Sequence, residues 1–454
     1  MKKTLLFGRR CCHAVLLAMA TLVFPQSAFA KQWTLQECID YALSHNITIQ
    51  KNRVSKLSAH EDFLQSKAEL LPSLNASTSQ NVTYNPFPES GRATVANGYV
   101  QSSVDKVFYN GSYGVNGSWT VWNGNRNKNA VKLNEMAEQK AELDSAITAN
   151  SIQEQIAQLY VQILYSAEAI KVNKASYETS KANEERGKEF VNVGKMSKSD
   201  LAQLTTQRAQ DEYNIVEAES NLRNFKRQLK QLLQITNDDE FDIVIPDYTD
   251  EMALQTVPAM QEVFNAALDN RPEIKNARLG IATSDLNIQV AKAQKLPTVG
   301  LNASAITNTS SMSETAWGSQ LKNNFNLGAG VSVSVPLFDN RASRTAVNKA
   351  MLQKQNYQLE LQDQQTSLYS TIENYWLQAV TNQNKFKAAR VATQSAETSY
   401  EMLSGKFQEK LINIVELMQG RDAVIKAQQN ELQSKYLTIL NLNLLNFYKD
   451  GQLH

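Results

Sequence analysis

Residues 325–341 read FNLGAGVSVSVPLFDNR. Phe325, Leu327, Ala329, Val331, Val333, Val335 and Leu337 alternate with Asn326, Gly328, Gly330, Ser332 and Ser334. A period of two puts one set on each face of an extended strand. One face is apolar, and the other is small, neutral and polar. That is the pattern of a strand with one side to lipid and one to a wet lumen. It equally fits a half-buried soluble hairpin. From Arg341 to Ser404 there is then neither Gly nor Pro, which favours a long helix. At ~1.5 Å per residue such a rod reaches roughly 90–100 Å.

The same grammar occurs earlier in the chain. Tyr113, Val115, Trp119 and Val121 alternate with Ser112, Asn116, Ser118 and Thr120, and Asn125 to Arg186 lacks Gly and Pro. Matching motifs fix the relation. Leu35-Gln36-Glu37, Tyr41-Ala42-Leu43 and Leu71-Pro72-Ser73 recur as Met260-Gln261-Glu262, Ala266-Ala267-Leu268 and Leu296-Pro297-Thr298, each 225 positions on. Trp122-Asn123-Gly124 recurs as Phe338-Asp339-Asn340, and Asp200-Leu201 as Glu416-Leu417, 216 positions on. A constant spacing of this kind marks an internal duplication. Residues 31–236 form the first repeat and 258–454 the second, joined by an acidic, Pro-punctuated linker at 237–257. Each repeat is expected to run helix, two strands, long helix, short break, long helix. The strands are expected at about 73–85, 108–121, 298–307 and 324–337. Tyr84, Phe87, Trp119, Trp122, Trp317, Phe325 and Phe338 lie near their ends, where interfacial girdles form.

Four strands cannot close a barrel, and an open edge is not tolerated in lipid. Membrane strands here therefore require an oligomer: a dimer supplies 8 strands, which side chains would fill, while a trimer supplies 12 and leaves a lumen, by the scaling of barrel width with strand number (about 8 for a filled barrel). The rods need packing partners too. Ile152, Ile156, Leu159 and Ile163 step by threes and fours, as do Ile215, Ala218, Leu222, Phe225, Leu229 and Leu232. So do Leu368, Ile372, Tyr375 and Ala379, and Leu437, Leu440, Leu444 and Phe447. This is coiled-coil spacing, with Gln, Asn, Lys and Glu on the other faces. It suits a wall around water or a solid coiled coil.

Residues 1–30 read as a secretory signal: Lys2, Lys3, Arg9 and Arg10, an apolar run from Ala14 to Phe24, then Ala28-Phe29-Ala30. Without them 42 basic residues face 45 acidic ones, a net charge of −3, which gives no basic footprint for nucleic acid. One cysteine, Cys38, is left, and its expected place is a buried structural one. No later apolar run spans a bilayer as a helix. His45, His60 and His454 have no metal-binding spacing, and Gly187 and Gly194-Lys195 have the wrong interval for a phosphate loop. Neither an enzyme, a metal nor a cofactor is expected.

Together, Trp33-Thr34-Leu35-Gln36-Glu37-Cys38-Ile39-Asp40-Tyr41-Ala42-Leu43, the twin Leu-Pro motifs before strands and Pro336-Leu337-Phe338-Asp339-Asn340-Arg341 after one resemble the TolC-type outer-membrane efflux family. The resemblance covers essentially the whole exported chain. It implies a mostly α fold with a small membrane β part. Three copies would share a 12-stranded barrel in outer-membrane lipid, and an α-barrel of long antiparallel helices would extend into the periplasm. It also implies a periplasmic adaptor (membrane fusion) protein and an inner-membrane pump of RND, ABC or MFS type. The breaks between long helices become tips. Gly194, Lys195, Met196, Ser197, Leu201, Lys410, Leu411 and Leu417 would dock the adaptor. Asp200, Glu416, Asn413 and Ile412 would line the gate. Lys410 stands where the family usually has Gly, and Ile412 where some members carry a basic gate partner. Helix capping is the plainer role for Asp200 and Glu416, since an acid in a first turn suits the helix dipole. Arg126 and Arg341 are expected at the membrane boundary or bonded to turn groups. The competing function is a periplasmic or surface coiled-coil scaffold or adhesin.

Overall fold

The computed structural model describes residues 32–453 apart from 88–92, 97–98, 103–105, 237–240, 247 and 410. The signal segment and Lys410 lie outside the described residues. In chain order the elements are β1 (Gln32–Trp33), α1 (Leu35–His45), α2 (Ile47–Ala68), β2 (Ser73–Tyr84), β3 (Ala93–Ala96), β4 (Tyr99–Ser102), β5 (Val107–Trp122), α3 (Arg126–Asn192) and α4 (Lys198–Leu233). The second half adds β6 (Asp242–Ile243), α5 (Asp250–Ala253), α6 (Met260–Asn270), α7 (Pro272–Ala293), β7 (Thr298–Ser310), α8 (Trp317–Asn323), β8 (Asn326–Ser334), α9 (Ala342–Gln408) and α10 (Ile414–Asp450).

The duplication is visible in element lengths. α1 and α6 have 11 residues each, α2 and α7 have 22, and α3 and α9 have 67. One expected helix before each strand pair is in fact two. Asn46 breaks the first: its side chain accepts from the Thr48 N–H (2.9 Å) and donates to the Leu232 carbonyl (3.0 Å). Pro272 starts α7 at its first turn, where a missing N–H costs nothing.

β2, β5, β7 and β8 form one antiparallel sheet in the order β2-β5-β7-β8. The register repeats with the sequence. Ser73 faces Ser118 across β2 and β5. Advancing these by 225 and 216 gives Thr298 and Ser334, which face each other across β7 and β8. The last strand is shorter than its apolar pattern because Pro336 has no N–H for the ladder. Small elements not read from the sequence, β3, β4 and α8, occupy the loops at the far end of the sheet.

At the other end each half turns sharply from strand to rod. Gly124 and Asn125 (φ 69° and 66°) and Asn340 and Arg341 (φ 49° and 71°) are consecutive left-handed residues at equivalent places. Two residues before each helix cap, Asn123 and Asp339 reach into the first turn of the rods, accepting from the N–H of Asn127 (3.2 Å) and Ser343 (2.9 Å). Arg126 donates to the Thr298 hydroxyl of the second half. The Trp119 indole donates to the Leu70 carbonyl (2.9 Å).

α3 with α4, and α9 with α10, form two antiparallel hairpins. Their main core lies midway along the rods. Ile152, Ile156, Ile163, Leu229, Ile372, Ala379, Leu444 and Phe447 meet there with Cys38 and Val263. β1 and β6 pair in parallel beside it, and the Tyr160 hydroxyl donates to the Val244 carbonyl (2.6 Å). Arg271 is buried here against Glu154 (3.2 Å) and over the ring of Tyr448 (4.2 Å). Among the described residues no helix is long and apolar enough to cross a membrane.

Candidate functional site at the helical tip

The first tip is built by matched stop and start signals. Gly194 takes a left-handed φ of 71°, which only Gly adopts without strain. It closes α3 in a Schellman turn, with Lys195 N–H bonded to the Phe190 carbonyl (2.7 Å) and Gly194 N–H to Val191 (3.0 Å). Ser197 caps α4 by accepting from the Asp200 N–H (3.0 Å). In the second tip Leu411 N–H bonds to the Lys406 carbonyl (2.9 Å), the equivalent of the Lys195 bond. Asn413 caps α10, accepting from the Glu416 N–H and donating to its carboxylate, both at 2.9 Å. Asp200 and Glu416 thus hold the same place, the third residue of their helices, in the positive field of the helix start.

The tips share a small apolar core. Leu204, Ile414 and Leu417 are buried in it, with Met196, Ile412, Phe407 and Leu403 packed around them. Of the residues expected at the adaptor surface, Met196 and Leu417 turn into this core, and Leu201 lies against the backbone of Gly187. Gly194, Lys195, Ser197 and Leu411 are exposed, as are Asn413 and Glu416, while Asp200 is half-buried. Ile412, expected at the gate, packs on the core. Each hairpin is drawn tight by a glycine. A Cβ on Gly187 would stand 2.6 Å from Leu204 Cδ1, and one on Gly420 would stand 2.5 Å from Leu403 Cδ1. Gly187 and Leu204 map by 216 positions onto Leu403 and Gly420, so the notch and the knob have changed helices between the repeats.

Behind the tip core lies a buried ion pair that the sequence reading missed. Arg421 of α10 pairs with Asp211 of α4, and their side chains are 6% and 3% exposed. The same guanidinium bonds to the Ser176 hydroxyl and to its carbonyl (3.0 Å) on α3, so one side chain ties the second hairpin to both helices of the first. The signal was present: Ile414, Leu417 and Arg421 continue a three-four step, as Leu204 and Asp211 continue a heptad, and a charge in such a slot is buried. Closer to the tip, Glu184 is also buried. Burial opposes its ionisation, but hydrogen bonds from Lys188 and Thr205 and the Arg208 charge hold its carboxyl below the ordinary value.

A 100 Å rod system joined to a sheet whose outward face carries Leu74, Val82, Leu327, Val331 and Val333 exposed is the architecture of a tunnel wall, by the helix rise of ~1.5 Å per residue. The model for "Outer membrane efflux protein" matches residues 38–234 and 263–447, one match on each repeat. The chain belongs to the outer membrane efflux protein family. Solved structures of the family's kind share its fold. CusC superposes with a TM-score of 0.77 at 14% identity, covering 92% of each chain. VceC from Vibrio cholerae gives 0.72 at 17% identity, covering 90% of this chain and 95% of its own. The Campylobacter jejuni CmeC outer membrane channel gives 0.75 at 17%, covering 92% and 86%. No curated protein matches by sequence. Membership locates this efflux protein in the outer membrane, its sheet in the bilayer and its rods in the periplasm.

Proposed function

We propose that three copies of this efflux protein close one barrel and one helical tunnel, forming the passive exit duct of a tripartite efflux or type I secretion system. An inner-membrane pump of RND, ABC or MFS type supplies the energy, and a periplasmic adaptor docks on the tip through Gly194, Lys195, Ser197 and Leu411. Lys410, outside the described residues, belongs to the same docking turn. Asp200 and Glu416 ring the narrow end and set its charge, with Asn413 orienting Glu416.

The observation that carries this reading is the open sheet. Among the described residues β2 and β8 are edge strands with no neighbouring strand for their outer backbone groups, on a sheet with one apolar face and one rich in Ser, Asn and Gly. In hydrocarbon each such group costs several kcal/mol unless paired, and only closure pairs them all. Single-channel recording in planar bilayers tests the proposal. Purified protein should conduct poorly as isolated and strongly once the tip is loosened. A protein that never conducts, with its tip intact or mutated, would refute it.

A further inference from the structure

The duplication says more than that copies must meet: it specifies how. We infer that β8 and α9 of one copy join β2 and α2 of the next in the register that the chain already uses between its own halves, and that Lys51 and Glu360 form an ion pair across that junction. This rests on the closed-duct reading above and adds to it the identity of the touching residues.

The two repeats are equivalent in their strand pairing and helix packing. The strand registers already coincide under shifts of 225 and 216. Side-chain contacts do so as well. His60 of α2 meets Glu138 of α3 at 3.1 Å, and the equivalent positions, Asp285 of α7 and Lys354 of α9, meet at 2.6 Å with the basic and acidic side chains exchanged. At these positions the packing of α2 on α3 and of α7 on α9 is therefore in the same register.

Two further interfaces remain. Between the halves, β5 pairs with β7 and α3 packs on α7. The equivalent of that junction runs from the second half to a first half, β8 to β2 and α9 to α2, and within one chain it is unmade. Asn116 faces Ser304 across β5 and β7. Shifting forward by 216 and back by 225 gives Ser332 facing Ser79 of the next copy. The same operation sets Ser334 against Ser77, and Ala329 against Val82. Every pair joins lumen face to lumen face or lipid face to lipid face. A slip of one residue would reverse that match.

An independent check comes from the helices. Asn276 of α7 donates to the Asp144 carboxylate of α3 at 2.7 Å. The equivalent positions are Lys51 and Glu360. Both are exposed, their charges are opposite, and neither forms an ion pair among the described residues of the protomer. A junction derived from strand register alone thus places a cation against an anion, each unpaired among the described residues.

Cysteine pairs in the full-length protein, extracted from membranes, test the register. Facing residues across antiparallel strands have Cα atoms ~4.5–5.5 Å apart, within disulfide reach. Ser79→Cys with Ser332→Cys should give a reducible ladder ending in a covalent trimer under mild oxidation. Ser79→Cys with Ser334→Cys, two residues out of register, should not, and single-cysteine variants control for Cys38. Lys51→Glu and Glu360→Lys should each lower the temperature at which the oligomer dissociates, and the double exchange should restore it. Linking only at the shifted pair, no linking at either pair in an oligomer that is present, or no restoration in the double exchange would overturn the inference. Absence of any oligomer by native mass spectrometry would overturn the duct reading itself, which separates the two failures.

Discussion

Replacing Asp211 by Ala leaves Arg421 as a cation inside the helix bundle, answered among the described residues by Ser176 and the distant Asp422 (3.8 Å). Two of its nitrogens, Nε and Nη1, are already buried without a hydrogen-bond partner, so the Asp211 carboxylate carries most of the compensation. Breaking a buried pair from one side typically costs about 3–5 kcal/mol. Arg421 spans the contact between the two hairpins, so the cost falls on their association near the tip. At about 1.4 kcal/mol per decade, the balance between joined and parted hairpins shifts by roughly two to three and a half decades. Asp211→Ala should raise single-channel conductance and speed tryptic nicking at Lys195 and Lys198. Asp211→Leu with Arg421→Leu removes both charges and should return close to the parent, since replacing a buried pair by apolar side chains is often neutral or better. Unchanged conductance and nicking in Asp211→Ala, or a double variant as open as the single one, would refute the reasoning.

Asp200→Ala with Glu416→Ala removes the acid from both helix starts; conductance should rise or cation selectivity fall in bilayer recordings, and neither change would leave the two acids as caps alone. Glu184 has a carboxyl held below its ordinary value of 4.5, so its tie to Arg208 and Lys188 is fully present above that value and is lost as pH falls through the lower folded value. Hydrogen exchange at the α3–α4 tip should therefore accelerate on acidification below about pH 4.5, and Glu184→Gln should flatten that response. Val333→Arg places a charge on the lipid face and should destabilise the folded protein in lipid by about 2–4 kcal/mol if mid-membrane; urea titration in vesicles reads it, with Ser332→Arg on the lumen face costing less.

What the sequence disclosed followed from periodicity. Val331, Val333 and Val335 announce a strand because a period of two has one interpretation over seven apolar positions. The rods were legible through the absence of Gly and Pro, yet α3 runs on through Gly187, where glycine leaves room for the Leu204 side chain. The break at Asn46 was hidden, since an Asn within a polar helix face looks ordinary until its amide is seen reaching Leu232. β3, β4 and α8 were hidden too: their Ser-, Gly- and Asn-rich surroundings carry loop composition whatever their backbone does. At the tip, Gly194, Ser197 and Asn413 were readable as stops and caps because those roles are local. Whether Met196, Ile412 and Leu417 face outward or inward depends on which helix lies opposite, and local pattern holds no such information. The Arg421–Asp211 pair joins residues 210 positions apart, which no single window contains.

The exchange of Gly187 and Leu204 for Leu403 and Gly420 constrains how this molecule can be rebuilt. Putting α3's tip segment in place of α9's would set glycine against glycine and leave a hole, while α9's in place of α3's would drive leucine into leucine. Only whole hairpins are interchangeable parts. The two halves have therefore drifted as coupled pairs of helices, and any ancestral single-repeat sequence must carry one complete notch-and-knob set, never a mixture.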